Sequence, residues 1–201
     1  ALRYLQGKLT RTLRSHFTFV LGEHLATLYG LSPGRYANTY YTTFSAQDIA
    51  PHAIAPPGTG EPVRLVSVVR FQKGKGVDLL LQALARLAKR NLKFDLTVIG
   101  DGPERPALEG QRDALGLSPT VRFPGYIPHG PVFDEAMSRS HAFVFCSLHE
   151  GAPKVVIEAL RYGLPVLSTR VGAVPSVIRE GVNGWLVEPG SVEQLAAALK
   201  R

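Results

Sequence analysis

Two glutamates, Glu150 and Glu158, bracket the segment Gly151-Ala152-Pro153-Lys154-Val155-Val156-Ile157. They follow a short apolar run, residues 142–146, that reads as a buried strand. Pro153 suits the first position of a helix running to Gly163, because its missing N–H is no loss there. Lys154 and Val155 then fall in the first turn, whose N–H groups the helix's own ladder leaves to other acceptors. Together with the helix dipole, those groups form a site for a phosphate or a sugar oxygen. Glu150 falls in the loop at the mouth of that site, and Glu158 about 7–8 Å along the helix axis from Pro153. Carboxylates at both ends of an anion site suit a diphosphate with a hydroxyl-rich group on each side, and a nucleotide-sugar has that shape. Two ordinary surface glutamates would show the same spacing, since the dipole alone favours a glutamate near a first turn.

Three other segments could contribute. Arg70 and Lys75 follow an apolar run, with Gly74 and Gly76 beside the lysine. Arginine offers a planar fork to phosphate and lysine a compact charge, and glycine neighbours let a backbone come close. A solvated basic loop would have the same composition. Gly100-Asp101-Gly102-Pro103 lacks the third glycine of a dinucleotide fingerprint, position 105 being Arg, so it reads as a strand-to-helix turn and NAD is disfavoured. At Gly125-Tyr126-Ile127-Pro128 a turn could expose backbone groups and the Tyr126 ring to a nucleobase, or simply pack an aromatic. The six histidines show no zinc spacing, and no Asp-x-Asp pair is present to hold a metal-bound diphosphate, so no metal and no cofactor are expected. His149 reads as structural or substrate-lining, and nothing around Ser147 makes a nucleophile elbow.

These segments need elements to hold them. From residue 63 onward, apolar runs at 63–69, 94–99, 121–123, 142–146, 165–168 and 184–187 alternate with helical patterns at 77–90, 104–115, 132–140, 153–162, 175–179 and 192–200. Strands alternating with helices imply an α/β fold, a doubly wound, Rossmann-like parallel sheet with right-handed crossovers. Such sheets bind ligands at the carboxyl ends of their strands, where each segment above falls. Residues 45–62 hold Pro51, Pro56, Pro57, Pro62, Gly58 and Gly60 without periodicity and read as a linker. Before it, 1–15 is basic and amphipathic, 17–21 and 36–43 read as strands, and 22–29 as a helix.

Composition narrows the partners. The net charge of +7 fits an anionic ligand, an anionic membrane surface or nucleic acid. No nucleic-acid motif stands out and aromatic residues do not interleave with basic ones, so nucleic acid is not expected. Segment 1–15 reads as a packing helix with a solvated basic face, or as a peripheral contact with anionic lipid. No apolar run approaches a membrane span. Cys146, the one cysteine, sits in an apolar strand and reads as a buried small hydrophobe, which excludes a disulfide framework within the chain. The absence of an initiator Met, and a terminal helix that simply stops, read as a fragment.

The order and spacing of several motifs resemble the C-terminal domain of the retaining GT-B glycosyltransferases of family 4, also called glycosyl transferase group 1. They are Arg70-x4-Lys75-Gly76-x-Asp78-Leu79-Leu80, Val98-Ile99-Gly100-Asp101-Gly102-Pro103, Val121-Arg122-Phe123-Pro124-Gly125-Tyr126, the Glu150-x7-Glu158 segment, Ala159-Leu160-Arg161-Tyr162-Gly163-Leu164-Pro165-Val166, and Gly181-Val182-Asn183-Gly184-Trp185-Leu186-Val187. The resemblance implies residues 1–44 as a remnant of the N-terminal, acceptor-side domain, 45–62 as linker, and 63–201 as a nucleotide-sugar-binding domain cut short at its C-terminus. It implies a metal-independent hexosyltransferase acting with retention, taking a UDP- or GDP-hexose and an acceptor such as a glycan or lipid-linked sugar, in the cytoplasm or at the inner face of the membrane. The isolated fragment is expected to be inactive. A non-catalytic nucleotide-sugar-binding module of the same fold is the alternative.

By the resemblance, Glu150 touches donor-sugar hydroxyls near the reacting centre, and Arg70 and Lys75 neutralise the leaving diphosphate; these three are the catalytic candidates. Gly151, Lys154 and Val155 reach the donor's sugar or phosphate, Glu158 holds the ribose, and Gly125, Tyr126 and Ile127 line the base. The sequence departs from the family pattern at Val69, where Gly is usual and a side chain could narrow the approach to the phosphates. It also departs at His141, Cys146 and Ser176, where Asp, Pro and Glu are frequent.

Overall fold

The computed structural model describes residues 18–20, 36–38 and 54–200. The amphipathic segment 1–15, the helix expected at 22–29 and the first half of the expected linker, 45–53, lie outside these residues. Two short strands, β1 (Thr18–Val20) and β2 (Tyr36–Asn38), pair in parallel.

The remaining strands form one six-stranded parallel sheet: β3 (Val63–Val68), β4 (Phe94–Ile99), β5 (Val121–Gly125), β6 (Ala142–Phe145), β7 (Val166–Thr169) and β8 (Gly184–Val187). The order is β5-β4-β3-β6-β7-β8. The chain steps outward from β3 to β5, returns to lay β6 on the other side of β3, and steps outward again. The reversal between β3 and β6 is the topological switch point, where the loops leaving two adjacent strands diverge and open a crevice. The doubly wound expectation holds.

Alternate strand residues feed two cores, as the two-residue period of a strand requires. Leu65, Leu96, Val144 and Leu167 face one core, which buries Leu80, Leu84 and Leu87 of α1 (Val77–Ala88), Leu108 of α2 (Arg105–Ala114) and Leu195 of α6 (Val192–Ala198). Val66, Ile99, Phe143, Phe145 and Val166 face the other, with Phe133 and Met137 of α3 (Pro131–Ser138), Val156 and Ala159 of α4 (Lys154–Arg161) and Val174 of α5 (Val174–Val177). Burying a leucine of α1 stabilises by about 1.5–3 kcal/mol, so its stripe fixes that helix to the sheet.

Among the boundaries that differ from the sequence reading, three involve a proline. Pro153 is the N-cap of α4, with an extended ψ of 106°, rather than its first helical residue. Its carbonyl accepts the Val156 N–H at 3.2 Å, so Lys154 opens the helix. Strand β5 runs on through Pro124 to Gly125; proline is tolerated because β5 is an edge strand and its register with β4 shifts between Thr97 and Ile99. Helix α3 starts at Pro131, in the first-turn position that proline favours.

Candidate functional site

The loops leaving β3 and β4 lie against one another. Val69 N–H donates to the Ile99 carbonyl at 3.0 Å and Phe71 N–H to the Asp101 carbonyl at 2.9 Å. Gly100 and Gly102 have positive φ of 143° and 155°, and a Cβ on either would stand 1.9 Å from the Val69 carbonyl oxygen or 2.4 Å from that of Phe71. The Gly-x-Gly pair therefore serves chain-on-chain packing beneath the loop after β3. Phe71 anchors that loop, fully buried and edge-on to Phe123 at 5.3 Å.

The β3 loop is laced to the loop leaving β6. The Gly74 carbonyl accepts Leu148 N–H at 2.7 Å and Ser147 Oγ–H at 3.3 Å. Gly76 has φ of +73°, and a Cβ there would fall 1.9 Å from the Cys146 carbonyl oxygen. So the glycine beside Lys75 admits the protein's own backbone. Behind the β6 loop, Thr169 Oγ1–H donates to the Ser147 carbonyl at 2.6 Å and Ala173 N–H to that of Gly151 at 2.7 Å.

This lacing brings Lys75 Nζ to 2.6 Å from Glu150 Oε1, both side chains partly buried. The pair stands in a cleft of about 520 Å³ over the switch point. Arg70 lines the cleft on the β3 side; Lys154 and Val155, in the first turn of α4, line it from the β6 side. Tyr126 and Ile127, just past β5, form the far wall, with Tyr126 74% exposed and so able to offer a ring face. The structure thus brings together Arg70, Lys75, Glu150, Lys154, Val155, Tyr126 and Ile127.

Other candidates stand apart. Glu158 is half-buried one turn beyond Lys154 on α4 and does not line the cleft. Gly151 is exposed and supports the backbone, and Gly125 is the buried last residue of β5. His149 is exposed and off the cleft. Val69 is on the cleft wall, where a narrowing was expected. Burial pushes the Cys146 thiol up and leaves it inert as a nucleophile.

The sequence reading assigned no role to Gln72, Asp101 or His129, all on the cleft wall. His129 packs on Phe133 with ring centroids 4.6 Å apart and the planes tilted by 51°. Asp101, Arg105 and Glu109 recur at four-residue spacing, a visible signal of side chains that meet; Arg105 and Glu109 share a face of α2, and Asp101 reaches Arg105 from the turn before it. Beneath α4, the Tyr162 hydroxyl donates to Asp134 of α3, and its pKa is pushed up to about 12, first by burial and then by that hydrogen bond.

Comparison with known proteins identifies the family. The family model described as "Glycosyl transferases group 1" matches residues 54–201. One component of the human phosphatidylinositol N-acetylglucosaminyltransferase is 33% identical over 160 residues, covering 76% of this chain and 32% of that protein. A lipopolysaccharide core biosynthesis glycosyltransferase of Rhizobium meliloti is 35% identical over 137 residues, covering 68% of this chain and 38% of its own. The chain thus spans about a third of the length of these relatives. Among solved structures, a lipopolysaccharide outer core galactosyltransferase shares the fold with a TM-score of 0.77 at 24% identity, over 91% of this chain and 51% of that one. The C-terminal domain of a group 1 family protein from Francisella tularensis matches at TM-score 0.60 and 28% identity, over 69% of this chain and 75% of that one. Anabaena Alr3699/HepE, solved in complex with UDP, matches at TM-score 0.71 and 22% identity, over 90% of this chain and 52% of that one.

Proposed function

The chain belongs to the group 1 glycosyl transferases, and we propose that it carries the nucleotide-sugar donor site of a retaining, metal-independent hexosyltransferase of family 4. The observation that carries this reading is the convergence, in one cleft at the switch point, of Arg70, Lys75, Glu150 and the first turn of α4. That set suits a diphosphate bearing a sugar. Transfer breaks the anomeric C–O bond, and negative charge builds on the departing β-phosphate oxygen. Lys75, held by Glu150, and the α4 N-terminus are fixed before the bond breaks, so they stabilise that charge without reorganising, and the exposed Arg70 side chain adds its charge from the β3 side. Glu150 accepts hydrogen bonds from sugar hydroxyls and fixes the anomeric carbon in place. Tyr126 and Ile127 receive the nucleobase, and a ribose extending past the cleft lining reaches Glu158, one turn along α4 from Lys154. The metal-free reading rests on cations already standing where the diphosphate would lie, and on a sequence without an Asp-x-Asp pair.

The neighbours support a uridine nucleotide in particular: Anabaena HepE was solved with UDP and glucose, and a pneumococcal O-GlcNAc transferase with UDP and GlcNAc. An acceptor of the glycan or lipid-linked sugar class fits relatives named for lipopolysaccharide and phosphatidylinositol glycosylation. Calorimetric titration of the chain with UDP, GDP and ADP tests the donor site. One nucleotide is expected to bind, and Glu158→Ala to weaken it. Failure of all three to bind would overturn the donor reading; binding that Glu158→Ala leaves unchanged would overturn the ribose assignment.

A further inference from the structure

Arg105 opens α2 and reaches three acceptors at once. Its Nη1 lies 3.1 Å from Asp101 Oδ2, its Nε 2.8 Å from Glu109 Oε1, and its Nη2 2.9 Å from the Phe123 carbonyl oxygen. Asp101 Oδ1 in turn accepts the Gly102 N–H at 2.7 Å. One rigid guanidinium fork therefore joins the turn after β4 to the end of β5, which a lysine's single ammonium cannot do. Gly125 lets the fork lie flat against β5, since a Cβ there would come within 3.3 Å of Nη1. The Gly100 N–H donates to the Gly125 carbonyl at 2.9 Å and closes the same joint. The chain passes directly from Gly125 into Tyr126 and Ile127, and Asp101 lines the cleft beside them. Arg105 does not line the cleft, and none of its partners belongs to the Lys75–Glu150 end.

We infer that Arg105 is a positioning residue for base selection: it holds Asp101 and the Tyr126–Ile127 wall in register, and so sets how strongly the cleft prefers one nucleobase. The inference rests on the donor reading above. It predicts a loss confined to one end of the ligand, because the diphosphate is held elsewhere.

UDP, GDP and ADP carry the same diphosphate and differ only in the base. Calorimetry on the full chain, wild type against Arg105→Gln and Arg105→Lys, separates the two ends, with thermal melts reporting that each variant folds. In Arg105→Gln the preferred nucleotide should lose about five- to tenfold in affinity and the others less than twofold, compressing the preference. Arg105→Lys should retain the charge without restoring the preference, because it lacks the fork. A parallel loss for all three nucleotides, or an unchanged preference in both variants, would overturn the inference while leaving the donor site standing. Equal wild-type binding of all three would overturn it as well. No wild-type binding at all would overturn the donor reading itself, and this inference with it.

Discussion

Lys75 and Glu150 occupy the same few ångströms yet are asked to serve opposite charges. At 2.6 Å the carboxylate holds the ammonium that, under the donor reading proposed above, a leaving diphosphate would need. An ammonium has three donors, so Lys75 can hold both, but the carboxylate still repels the incoming phosphates. Glu150→Gln keeps the shape and removes that charge. Calorimetry on this chain should show nucleoside diphosphate binding strengthened about two- to tenfold in Glu150→Gln and weakened about tenfold or more in Lys75→Ala, a charged hydrogen bond being worth roughly 1.5–3 kcal/mol. Parallel losses in the two variants would show that the carboxylate serves only to hold the lysine. His141 shows the converse case of a titratable group with a structural task. Its Nδ1 accepts the Arg64 N–H at 3.0 Å, and burial, followed by the Arg64 charge, holds its pKa below the usual histidine range. The unfolded chain then takes up a proton before the folded one does. The stability from neutral His141 is full above about pH 6.5 and is lost as pH falls through the lower folded-state value. Urea melts at pH 7.5 and pH 5 should show a smaller acid loss in His141→Asn than in wild type.

At the level of elements, helices and strands were legible wherever apolar periodicity ran unbroken. The leucines of α1 and the run 142–146 announced themselves because a packed helix and a buried strand leave different repeats. Pro153 and Pro124 misled by a residue or more, since a proline marks a boundary without saying which side of it the element lies on. The glycines were legible as turns but not as contacts: nothing local in the sequence says that Gly76 faces Cys146, seventy positions away. That contact has a measurable consequence. Gly74 and Gly76 have nearly the same φ, +83° and +73°, but a Cβ at Gly74 meets nothing within 4 Å. Gly74→Ala should cost about 1 kcal/mol, the strain of a left-handed residue with a side chain. Gly76→Ala should cost about 1–3 kcal/mol more, because the loops after β3 and β6 must part. Equal midpoints for the two variants in urea would mean that the loops are not laced.

Across the whole molecule, the fold could be read from alternation alone, but the site needed topology. Arg70, Lys75 and Glu150 are scattered in sequence and meet because the order β4-β3-β6 sets the two loops side by side. Strand alternation implies that ligands bind at carboxyl ends; it does not say which two loops adjoin, so nothing in it marks Asp101 and Arg105 as neighbours of Gly125. A ligand seated across this junction contacts the loops leaving β3, β5 and β6, which belong to both outward runs of the sheet. Its binding energy should therefore appear as stability of the entire six-stranded domain rather than of one loop. At a hundred times its dissociation constant, a ligand confined to the native state contributes about 2.7 kcal/mol. For a domain of this size that corresponds to a rise in Tm of roughly 5–10 °C. The nucleotide that binds in calorimetry should raise a single cooperative transition by that amount, and Lys75→Ala should remove about half of the rise or more at the same ligand concentration. A transition that splits, with only part of the signal shifting, would mean that the two halves of the sheet unfold separately and that the switch point is not their joint.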